Sequence, residues 1–427
     1  MSSNRKKINL LPVVSSSIIG ATIEWYDFFL YGVVASMVFN QLYFPSNDPF
    51  LSTLLAYVTF AVGFFARPVG GIIFGHFGDK LGRKKMLILT VMIMGGSTCL
   101  IALLPTYDQI GIWAPICLLF LRVVQGIGLG GEWGGAVLMT YEYAPENKRG
   151  FYASFPQIGL SLGLLLASGI IGLLTAILSK PQFLAWGWRA AFGLSIILLI
   201  TGLWMRVTVK ETPEFQNVKD NHEESRIPFK SMWKNGNAQK IFAGMGARYI
   251  DGVFFNIMGV FSINYLTNYI QISNSIATLG VSIAAFVMCL FIPLFGYLSD
   301  RLGRTKVYFW GSLITGISAI PAFWLMAHSA GNTWLIWLAI IIPFGILYAI
   351  VYGPEAALFA ELFDAGVRYT GVSFVYQFSG IFASGITPII AATLLHVGGG
   401  SPLLLTLYVL FSGLVSACSV WWISKLE

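Results

Sequence analysis

Charged residues are scarce in this 427-residue sequence, at 11% of the chain, whereas hydrophobic residues make up 56%. Soluble globular domains carry about 25% charged residues, because a surface that faces water has to be covered with polar groups. A string of soluble domains is therefore excluded, and the composition predicts a chain surrounded mostly by lipid. The net charge of +7 does not indicate a nucleic-acid partner, since the charges are too few to form a basic binding stripe.

Cysteine is also rare, and the four cysteines are scattered through separate apolar stretches. Their spacing fits neither a disulfide framework nor a metal site. The sequence contains no Walker A, HExxH or GxSxG motif. Residues 126–131 match GxGxxG, but they lie inside a long apolar run rather than at a strand-to-helix turn, and their small residues indicate close helix packing. We therefore predict no metal, no cofactor, no catalytic residues and no enzymatic activity.

Twelve mostly apolar runs follow one another along the chain, each about 20 residues or longer, which is the length of a membrane-spanning helix. Their connections are short, except for a polar stretch at about 209–239. This pattern predicts an all-α membrane protein with two six-helix bundles, residues 1–208 and 240–427, joined by a cytoplasmic linker at 209–239. The approximate spans are 12–41, 52–77, 86–105, 113–141, 151–178, 187–208, 240–268, 276–298, 306–327, 333–360, 370–396 and 402–424.

The basic residues are distributed unevenly between the two sides of the membrane. If the N-terminus lies in the cytoplasm, all but five of the 26 lysines and arginines lie at or near the cytoplasmic side. Of the five, Lys180 and Arg189 lie outside, and Arg67, Arg122 and Arg248 lie within the spans. Because lysine and arginine accumulate in cytoplasmic loops, both termini are predicted to be cytoplasmic.

The chain also contains an internal repeat. GHFGDKLGRKK at 75–85 returns 221 positions later as GYLSDRLGRTK at 296–306, and the pair Glu142 and Arg149 is echoed 219 positions later. Two nearly equal offsets, close to half the chain length, indicate duplication of a six-span unit. Since six is an even number, both copies have the same orientation, as in transporters that move small solutes by rocking two halves against each other.

The repeated loop resembles the signature loop of the major facilitator superfamily. Further segments resemble its metabolite–proton symporter family, and GGEWGGA and FPQIG are most similar to the shikimate-transporter branch of that family. The segments are EWYDFFLYG (24–32), ARPVGGIIFGHFGD (66–79), LRVVQGIGLGGEWGGA (121–136), WGWR (186–189) and ETPEF (211–215). The resemblance implies alternating access between two six-helix bundles in a bacterial plasma membrane.

The resemblance also implies a gating role for the repeated loop, which in the superfamily holds the cytoplasmic side closed. The residues that match are Asp79 and Arg83, with their duplicates Asp300 and Arg304. The alternative is that the charges of this loop only anchor the helices at the cytoplasmic surface.

Charged residues inside the apolar spans are costly and therefore point to a function and a partner. Glu24 and Asp27 are three residues apart on the first span, hence on one face, and Glu24 and Arg67 fall at similar depths and could pair. Arg248 and Asp251 have the same spacing on the seventh span. The full set is Glu24, Asp27, Glu132, Asp251 and Glu355, with Arg67, Arg122 and Arg248. Static ion pairs that brace the bundle are the alternative interpretation.

The excess of acids over arginines inside the spans suggests proton coupling. Apolar surroundings favour the neutral form of a carboxyl group, and a nearby arginine favours the charged form. A carboxyl group whose arginine partner changes between two conformations therefore changes its affinity for protons. Asp27 is the first candidate for the proton-coupling residue, followed by Glu24, Glu132 and Asp251.

The arginines are candidates for the substrate site, because the planar guanidinium group suits a carboxylate. Arg122 is the first candidate for the substrate anion, with Arg248 and Arg67 as further candidates. Polar and aromatic residues at similar positions could line the cavity, although simple helix packing is the alternative for the aromatic ones. These residues are Tyr31, Gln125, Gln157, Tyr249, Tyr352, Tyr376 and Gln377.

These features together predict a proton-coupled symporter that imports a small organic acid, such as a shikimate-like hydroxy acid or a dicarboxylate. The alternative is proton-coupled uptake of a zwitterionic osmolyte such as proline or betaine. A drug/proton antiporter is disfavoured, because FPQIGLSLG at 155–163 departs from the span-5 signature of that group. The expected partners are the substrate, protons and the lipid bilayer, with no nucleic acid, no cofactor, and function as a monomer.

Overall fold

The computed structural model describes residues 10–46, 49–208, 211–212, 216, 228–233 and 236–426, and within these ranges it contains helices and no strands. Most of the predicted linker at 209–239, including 213–215 of the ETPEF segment, lies outside the described residues. So do the basic residues Arg5, Lys6 and Lys7 near the N-terminus.

Twelve long helices are found in the described part of the chain. Eleven of them are long and apolar enough to cross a membrane, and the exception is the first, which carries Glu24 and Asp27. The helices are α1 (Leu11–Val34), α2 (Pro49–Leu81), α3 (Arg83–Leu103), α4 (Trp113–Tyr143), α5 (Glu146–Ile177), α6 (Lys180–Trp204), α7 (Asn237–Asn268), α8 (Asn274–Leu302), α9 (Arg304–Ala327), α10 (Thr333–Glu361), α11 (Arg368–Val397) and α12 (Leu403–Leu426). Short helices occupy Asn40–Leu42, Tyr107–Ile110 and Pro228–Ser231.

Helices are found at all twelve predicted positions, eleven of them long and apolar enough to cross a membrane, although individual boundaries shift by several residues. One large shift is at α6, which begins at Lys180 rather than at 187. A π-helical segment at Phe183–Gly187 continues the helix through the WGW sequence, which hydropathy alone does not distinguish from a loop. Other π-helical segments occupy Asn256–Phe261 in α7, Ile341–Leu347 in α10 and Ile381–Gly385 in α11.

Two glycines explain why the repeated loops are so short. Gly82 separates α2 from α3 with φ 106°, and Gly303 separates α8 from α9 with φ 95°. An L-amino acid with a side chain rarely adopts this backbone conformation, whereas glycine does so without strain. The chain can therefore reverse direction within one residue at both duplicated positions.

Glycines also bring α2 and α4 into close contact. A Cβ atom on Gly130 would lie 2.1 Å from the carbonyl oxygen of Arg67, and one on Gly70 would lie 1.9 Å from that of Ile127. Gly126 faces α2 in the same way, through the carbonyl oxygen of Gly63. The GxGxxG match therefore lies in a helix–helix interface, as predicted, where small residues allow backbones to approach.

The two sequence halves meet through helix pairs that are related by the duplication. α2 packs against α11, and its counterpart α8 packs against α5. The division into bundles at 1–208 and 240–427 and the cytoplasmic location of the termini remain predictions. We call the end of the molecule that carries Gly82 and Gly303 the latch side.

Candidate functional site

A cavity lies between the two halves, near the middle of the bundle. Its volume is about 20 Å³, enough for a water molecule and far below the roughly 300–1,000 Å³ of typical ligand sites. Half of its ten lining residues are aromatic, and the others include one arginine and one carboxylate. The lining residues are Trp25, Leu160, Arg248, Asp251, Gly252, Phe255, Tyr348, Tyr352, Tyr376 and Ser384.

Four of the predicted site residues therefore line this cavity: Arg248, Asp251, Tyr352 and Tyr376. The sequence did not single out Trp25, Phe255 or Tyr348, because an aromatic residue in an apolar span gives no signal of its own. Three π-helical segments lie next to these lining positions, on α7, α10 and α11. Such segments are frequent at functional sites, since they change the direction in which nearby side chains point.

Arg248 is the centre of a charged cluster in the cavity wall. Its Nε lies 3.4 Å from Asp251 Oδ2 and 3.8 Å from Glu355 Oε1. Its guanidinium carbon lies 3.6 Å from the centroid of the Tyr376 ring. Arg248, Asp251 and Glu355 are exposed by 4%, 3% and 0%, so the cluster is almost sealed from solvent.

Tyrosine hydroxyl groups complete this cluster, which we call the Arg248 cluster. Tyr348 donates a hydrogen bond to Asp251 Oδ1, and Tyr308 donates one to Glu355 Oε2 at 3.3 Å. The i, i+3 spacing on α7 places Asp251 beside Arg248, as predicted. The pairing of Arg248 with Glu355, across α7 and α10, could not be read from the sequence.

The predicted contact between Glu24 and Arg67 is present, with 3.6 Å between Glu24 Oε1 and the Arg67 terminal nitrogen. Arg67 also donates a hydrogen bond from Nε to Gln377 Oε1 at 3.1 Å. Gln377 in turn donates to the carbonyl oxygen of Gly130 at 3.1 Å. Arg67 thus links α1, α2 and α11, and it joins the two sequence halves.

Asp27 lies in a different environment from Glu24, although the two are three residues apart. Its Oδ1 accepts a hydrogen bond from Ser195 Oγ at 2.6 Å, and its Oδ2 accepts one from Thr98 Oγ1 at 2.9 Å. The expectation of one shared face is therefore refined, because Glu24 contacts α2 whereas Asp27 is turned toward α3 and α6. Asp27 is fully buried.

A chain of polar groups connects Asp27 to Arg122. Gln125 donates to Thr98 Oγ1 at 2.8 Å, and Arg122 donates to Gln125 Oε1 at 2.6 Å. The Arg122 guanidinium lies over the Tyr31 ring at 4.2 Å. Among the described residues no ion pair joins Asp27 directly to Arg122. The side chains of Thr98 and Gln125 lie between the carboxylate and the guanidinium group.

A glycine on α2 leaves the space that the Arg122 guanidinium occupies. A Cβ atom on Gly63 would lie 2.7 Å from Arg122 Nε, so only glycine leaves space for the guanidinium there. Arg122 is fully buried and does not line the central cavity. Tyr31 donates to Thr59 Oγ1 at 2.9 Å and is likewise part of this inner network.

The remaining predicted site residues lie outside the cavity lining. Glu132 accepts a hydrogen bond from Thr90 Oγ1 at 2.7 Å, between α3 and α4. The hydroxyl groups of Tyr249 and Tyr408 are 3.1 Å apart. Gln157 donates to the carbonyl oxygen of Tyr352 at 3.1 Å, directly behind the cavity wall.

The four predicted gating residues lie where the halves meet on the latch side. Asp79 accepts hydrogen bonds from the backbone nitrogens of Tyr369 and Thr370, at 3.2 and 2.9 Å. Asp300 accepts them from those of Gly150 and Phe151, at 2.8 and 2.9 Å. Each acid therefore binds the start of a helix from the opposite half.

Arginines support both acids in equivalent ways. Arg83 lies 3.4 Å from Asp79 and 3.3 Å from Glu142. Arg304 lies 2.9 Å from Asp300 and 2.7 Å from Glu361. The second sequence echo, Glu142 and Glu361, thus supplies the partner of the duplicated arginine. The contribution of these residues to gating remains a prediction.

Aromatic contacts between the halves narrow the cavity on both sides. Toward the latch side, Trp133 stacks on Tyr376 with ring centroids 3.6 Å apart. On the opposite side, Phe29 approaches Phe255 with centroids 5.7 Å apart. The structure is therefore closed on the latch side of the cavity and constricted on the opposite side. These two constrictions account for the small volume of the cavity.

A duplicated twelve-helix membrane bundle with charged residues around a central cavity has the architecture of a solute transporter. Two family models match the chain: Sugar (and other) transporter over residues 13–252, and Major Facilitator Superfamily over residues 241–427. The chain belongs to the major facilitator superfamily and, within it, to the metabolite–proton symporter family that its motifs resemble.

Similar transport proteins align with nearly the whole chain. It is 40% identical to the shikimate transporter of Escherichia coli K12 over 406 residues, which are 94% of this chain and 91% of the relative. It is 37% identical to the E. coli inner membrane metabolite transport protein YhjE over 390 residues, 90% of this chain and 87% of the relative. It is 34% identical to the E. coli proline/betaine transporter over 401 residues, 91% of this chain and 78% of the relative.

The fold is also similar to that of solved structures. The proton:xylose symporter XylE bound to 6-bromo-6-deoxy-D-glucose has a TM-score of 0.79 at 16% identity, covering 97% of this chain and 95% of the other. The inward open conformation of XylE from E. coli has a lower TM-score of 0.65 at 17% identity, covering 98% and 96%. The fold, the family and the location in the bacterial plasma membrane are thus confirmed, and the family makes the chain a metabolite transporter rather than an enzyme.

Proposed function

We propose that this protein is a proton-coupled symporter for a small hydroxylated carboxylic acid of the shikimate type. The observation that carries the proposal is Arg248, a buried guanidinium in the wall of the central cavity with tyrosines around it. A guanidinium binds a carboxylate through two parallel hydrogen bonds, and tyrosine hydroxyls can bind the hydroxyl groups of a substrate. The name of the shikimate transporter relative supports the same class of substrate.

Arg248 is a better candidate for the substrate carboxylate than Arg122, which the sequence placed first. Arg122 is held by Gln125 and by the Tyr31 ring, and it does not line the cavity. Arg248 lines the cavity and is balanced by carboxylates at 3.4 and 3.8 Å, longer than good charge-assisted hydrogen bonds. A substrate carboxylate with better geometry could therefore replace them.

The single arginine of the wall favours a monocarboxylate over a dicarboxylate. Arg67, the other arginine close to the centre, contacts Glu24 and Gln377 and is not among the lining residues. A second substrate carboxylate would therefore face Asp251 and Glu355 rather than a free cation. Hydroxyl groups on the substrate fit the tyrosines better than a second negative charge does.

Asp27 is the proposed proton carrier of the N-terminal half. Its two partners, Ser195 and Thr98, are neutral hydroxyl groups, and burial favours the neutral form of a carboxyl group. Arg122 is near enough, through Thr98 and Gln125, to come into contact after a small rearrangement of α1 against α4. Such a change of partner would alternate the proton affinity of Asp27 during transport. The proton gradient is the proposed driving force, with no cofactor and with a monomer as the functional unit.

The test is uptake of radiolabelled shikimate into proteoliposomes with and without an imposed pH gradient, acidic outside. We expect accumulation that collapses when a protonophore dissipates the gradient. Empty liposomes provide the background. If neither shikimate nor any other hydroxylated monocarboxylate is taken up, or if uptake is indifferent to the gradient, the proposal is wrong.

A second candidate is a zwitterionic osmolyte, and the aromatic wall is the observation that favours it. Trp25, Phe255, Tyr348 and Tyr352 could surround a quaternary ammonium group, which aromatic faces attract. The relatives named as proline/betaine transporters support this alternative. Competition separates the two, because excess betaine should leave shikimate uptake unchanged if the cavity is selective for hydroxy acids.

A further inference from the structure

The Arg248 cluster contains two carboxylates and one cation. Arg248 Nε faces Asp251 at 3.4 Å and Glu355 at 3.8 Å, and all three side chains are buried. The other titratable groups that face the cluster are neutral tyrosines, together with Arg67 at longer range on α2. The tyrosines are Tyr308 on α9, Tyr348 and Tyr352 on α10, and Tyr376 on α11.

This stoichiometry leaves one negative charge without a close cation if both carboxyl groups are ionised. An uncompensated buried charge costs several kcal/mol even after relaxation of the protein. Two carboxyl groups that share one site avoid this cost by holding a proton between them. Glu355 Oε1 has no hydrogen-bond partner among the described residues, and it lies farther from Arg248 Nε than Asp251 Oδ2 does, at 3.8 Å against 3.4 Å.

The tyrosine donors stabilise one remaining negative charge. Tyr348 donates to Asp251, whereas the single hydroxyl hydrogen of Tyr308 is shared between Glu355 Oε2 at 3.3 Å and the carbonyl oxygen of Ala247 at 3.1 Å. With Arg248 in place, one ionised and one neutral carboxyl group give a cluster without net charge. If another anion binds Arg248, the ionised carboxylate of the Asp251–Glu355 pair loses its counter-ion in a closed, apolar site.

We propose that Asp251 and Glu355 form a proton-binding site, and that binding of the substrate causes this site to take up a proton. In the empty transporter the pair holds one proton. When a substrate carboxylate binds Arg248, the carboxylate that Arg248 had balanced takes up a second proton from water. The incoming anion and proton then enter the site together, without a change in net charge. This inference rests on the proposed function, because it requires an anionic substrate at Arg248.

This site is distinct from the Asp27 network. Asp27 is held by Ser195 and Thr98 inside the N-terminal half, and it does not line the cavity. The Arg248 cluster lies in the C-terminal half, and its Arg248 and Asp251 line the cavity. Proton uptake at Asp251 and Glu355 is therefore coupled to binding, whereas Asp27 serves the conformational change.

Proton uptake on binding provides a direct test that needs no membrane. Purified full-length protein in detergent and weak buffer, containing a pH indicator, is mixed with saturating shikimate adjusted to the same pH. We expect about one proton per bound shikimate, and an affinity that rises about tenfold for each unit of decreasing pH where the pair titrates, because the linkage is reciprocal. Binding without proton uptake, at an affinity independent of pH, would overturn the inference.

Variants identify the groups that take up the proton. Either Asp251→Asn or Glu355→Gln alone should keep proton uptake, because the remaining carboxylate still balances Arg248. The double variant should bind shikimate with no proton uptake and no pH dependence. Glu132→Gln is the matched control, because Glu132 is a buried carboxyl group outside the cavity lining, and it should retain uptake on binding. Loss of uptake in Glu132→Gln, or full uptake in the double variant, would place the site elsewhere.

Infrared difference spectroscopy covers the case in which the double variant does not fold. The wild-type protein should show a protonated carboxyl C=O band that changes on addition of shikimate, and Glu355→Gln should alter that band. An unchanged carboxyl region would contradict the proposed proton site. If no acid tested shifts the melting temperature at any pH, the proposed function itself fails, which is a separate outcome from binding without protons.

Discussion

Asp79 binds the beginning of α11 through Thr370, accepting hydrogen bonds from its backbone nitrogen at 2.9 Å and from its hydroxyl group at 2.7 Å. Helix starts carry unpaired backbone N–H groups and a partial positive charge, so a carboxylate satisfies both needs. The acid lies on α2 and the helix start on α11, so this contact joins the two halves. Asp300 repeats it on the start of the Arg149 segment of α5.

Replacing Asp79 with alanine should open the latch side. Loss of a helix cap costs about 1 kcal/mol, which changes the ratio of closed to open molecules about fivefold. Spin labels at Lys85 and Arg301, which are exposed and lie in different halves, should report a longer distance in double electron–electron resonance. Asp300→Ala should act in the same direction.

Asp79→Asn is the matched control for this experiment, because asparagine keeps an acceptor oxygen but loses the charge. We expect a smaller shift than for alanine. An unchanged distance distribution in both alanine variants would mean that these acids only anchor the helices.

Asp27→Asn should abolish proton-driven accumulation of substrate, because a permanently neutral side chain cannot release a proton. Exchange of internal for external substrate should continue, since it needs no net proton movement. The measurement is uptake and counterflow in the same proteoliposomes. Full accumulation by this variant would exclude Asp27 as the carrier.

Glu132→Gln is the comparison for the Asp27 variant. Glu132 is buried to the same degree but lies between α3 and α4, bonded to Thr90. We expect accumulation to persist in Glu132→Gln. The reverse pattern, with accumulation lost here and kept in Asp27→Asn, would assign the proton to Glu132.

Arg248→Lys should weaken binding of shikimate by about tenfold or more, because lysine cannot offer the paired hydrogen bonds of a guanidinium. Arg122→Lys should change the affinity by much less, since Arg122 lies outside the cavity wall. Thermal-shift titrations with shikimate measure both. An equal loss of shikimate affinity in the two variants would indicate that Arg122 also belongs to the substrate site.

Gly130→Ala should lower the thermal stability markedly. The new methyl group would lie 2.1 Å from the carbonyl oxygen of Arg67 and would force α2 and α4 apart. Overpacking of this kind costs about 1–3 kcal/mol. The melting temperature of the detergent-solubilised protein is the measurement, and a wild-type value would mean that the two helices separate at little cost.

Gly169→Ala is the matched control on α5, because a Cβ atom added at Gly169 would meet no other atom within 4 Å. We expect an unchanged or slightly higher melting temperature, since alanine restricts the unfolded chain and fits the helix better. A loss equal to that of Gly130→Ala would show that helix packing is not the cause.

Local sequence information predicted the helices and the repeated loops well. Hydropathy depends on consecutive residues, so the spans could be read without knowing how they pack. The Glu24–Arg67 contact could also be predicted from the sequence, because depth in a membrane follows from position along a helix. The boundary difference at Lys180 arises where a π-helical segment continues through aromatic residues that resemble an interfacial loop.

The candidate site was predicted only in part. Arg248 and Asp251 were identified because a charge in an apolar span is conspicuous. Trp25 and Phe255 were not, because an aromatic residue looks the same in the sequence whether it faces lipid, a neighbouring helix or a cavity. From the sequence, Arg122 ranked above Arg248, whereas the choice between them depends on which way each helix is turned.

The duplicated twelve-span architecture and the excess of acids inside the spans could be read from the chain, because composition, hydropathy and repeats are properties of the sequence. Which of those acids share a cation became clear from the packing of the helices. Asp27 is bonded to hydroxyl groups in the N-terminal half, whereas Asp251 and Glu355 meet at Arg248 beside the cavity. Pairing between distant helices depends on their rotation and packing, and these are set by contacts across the whole bundle.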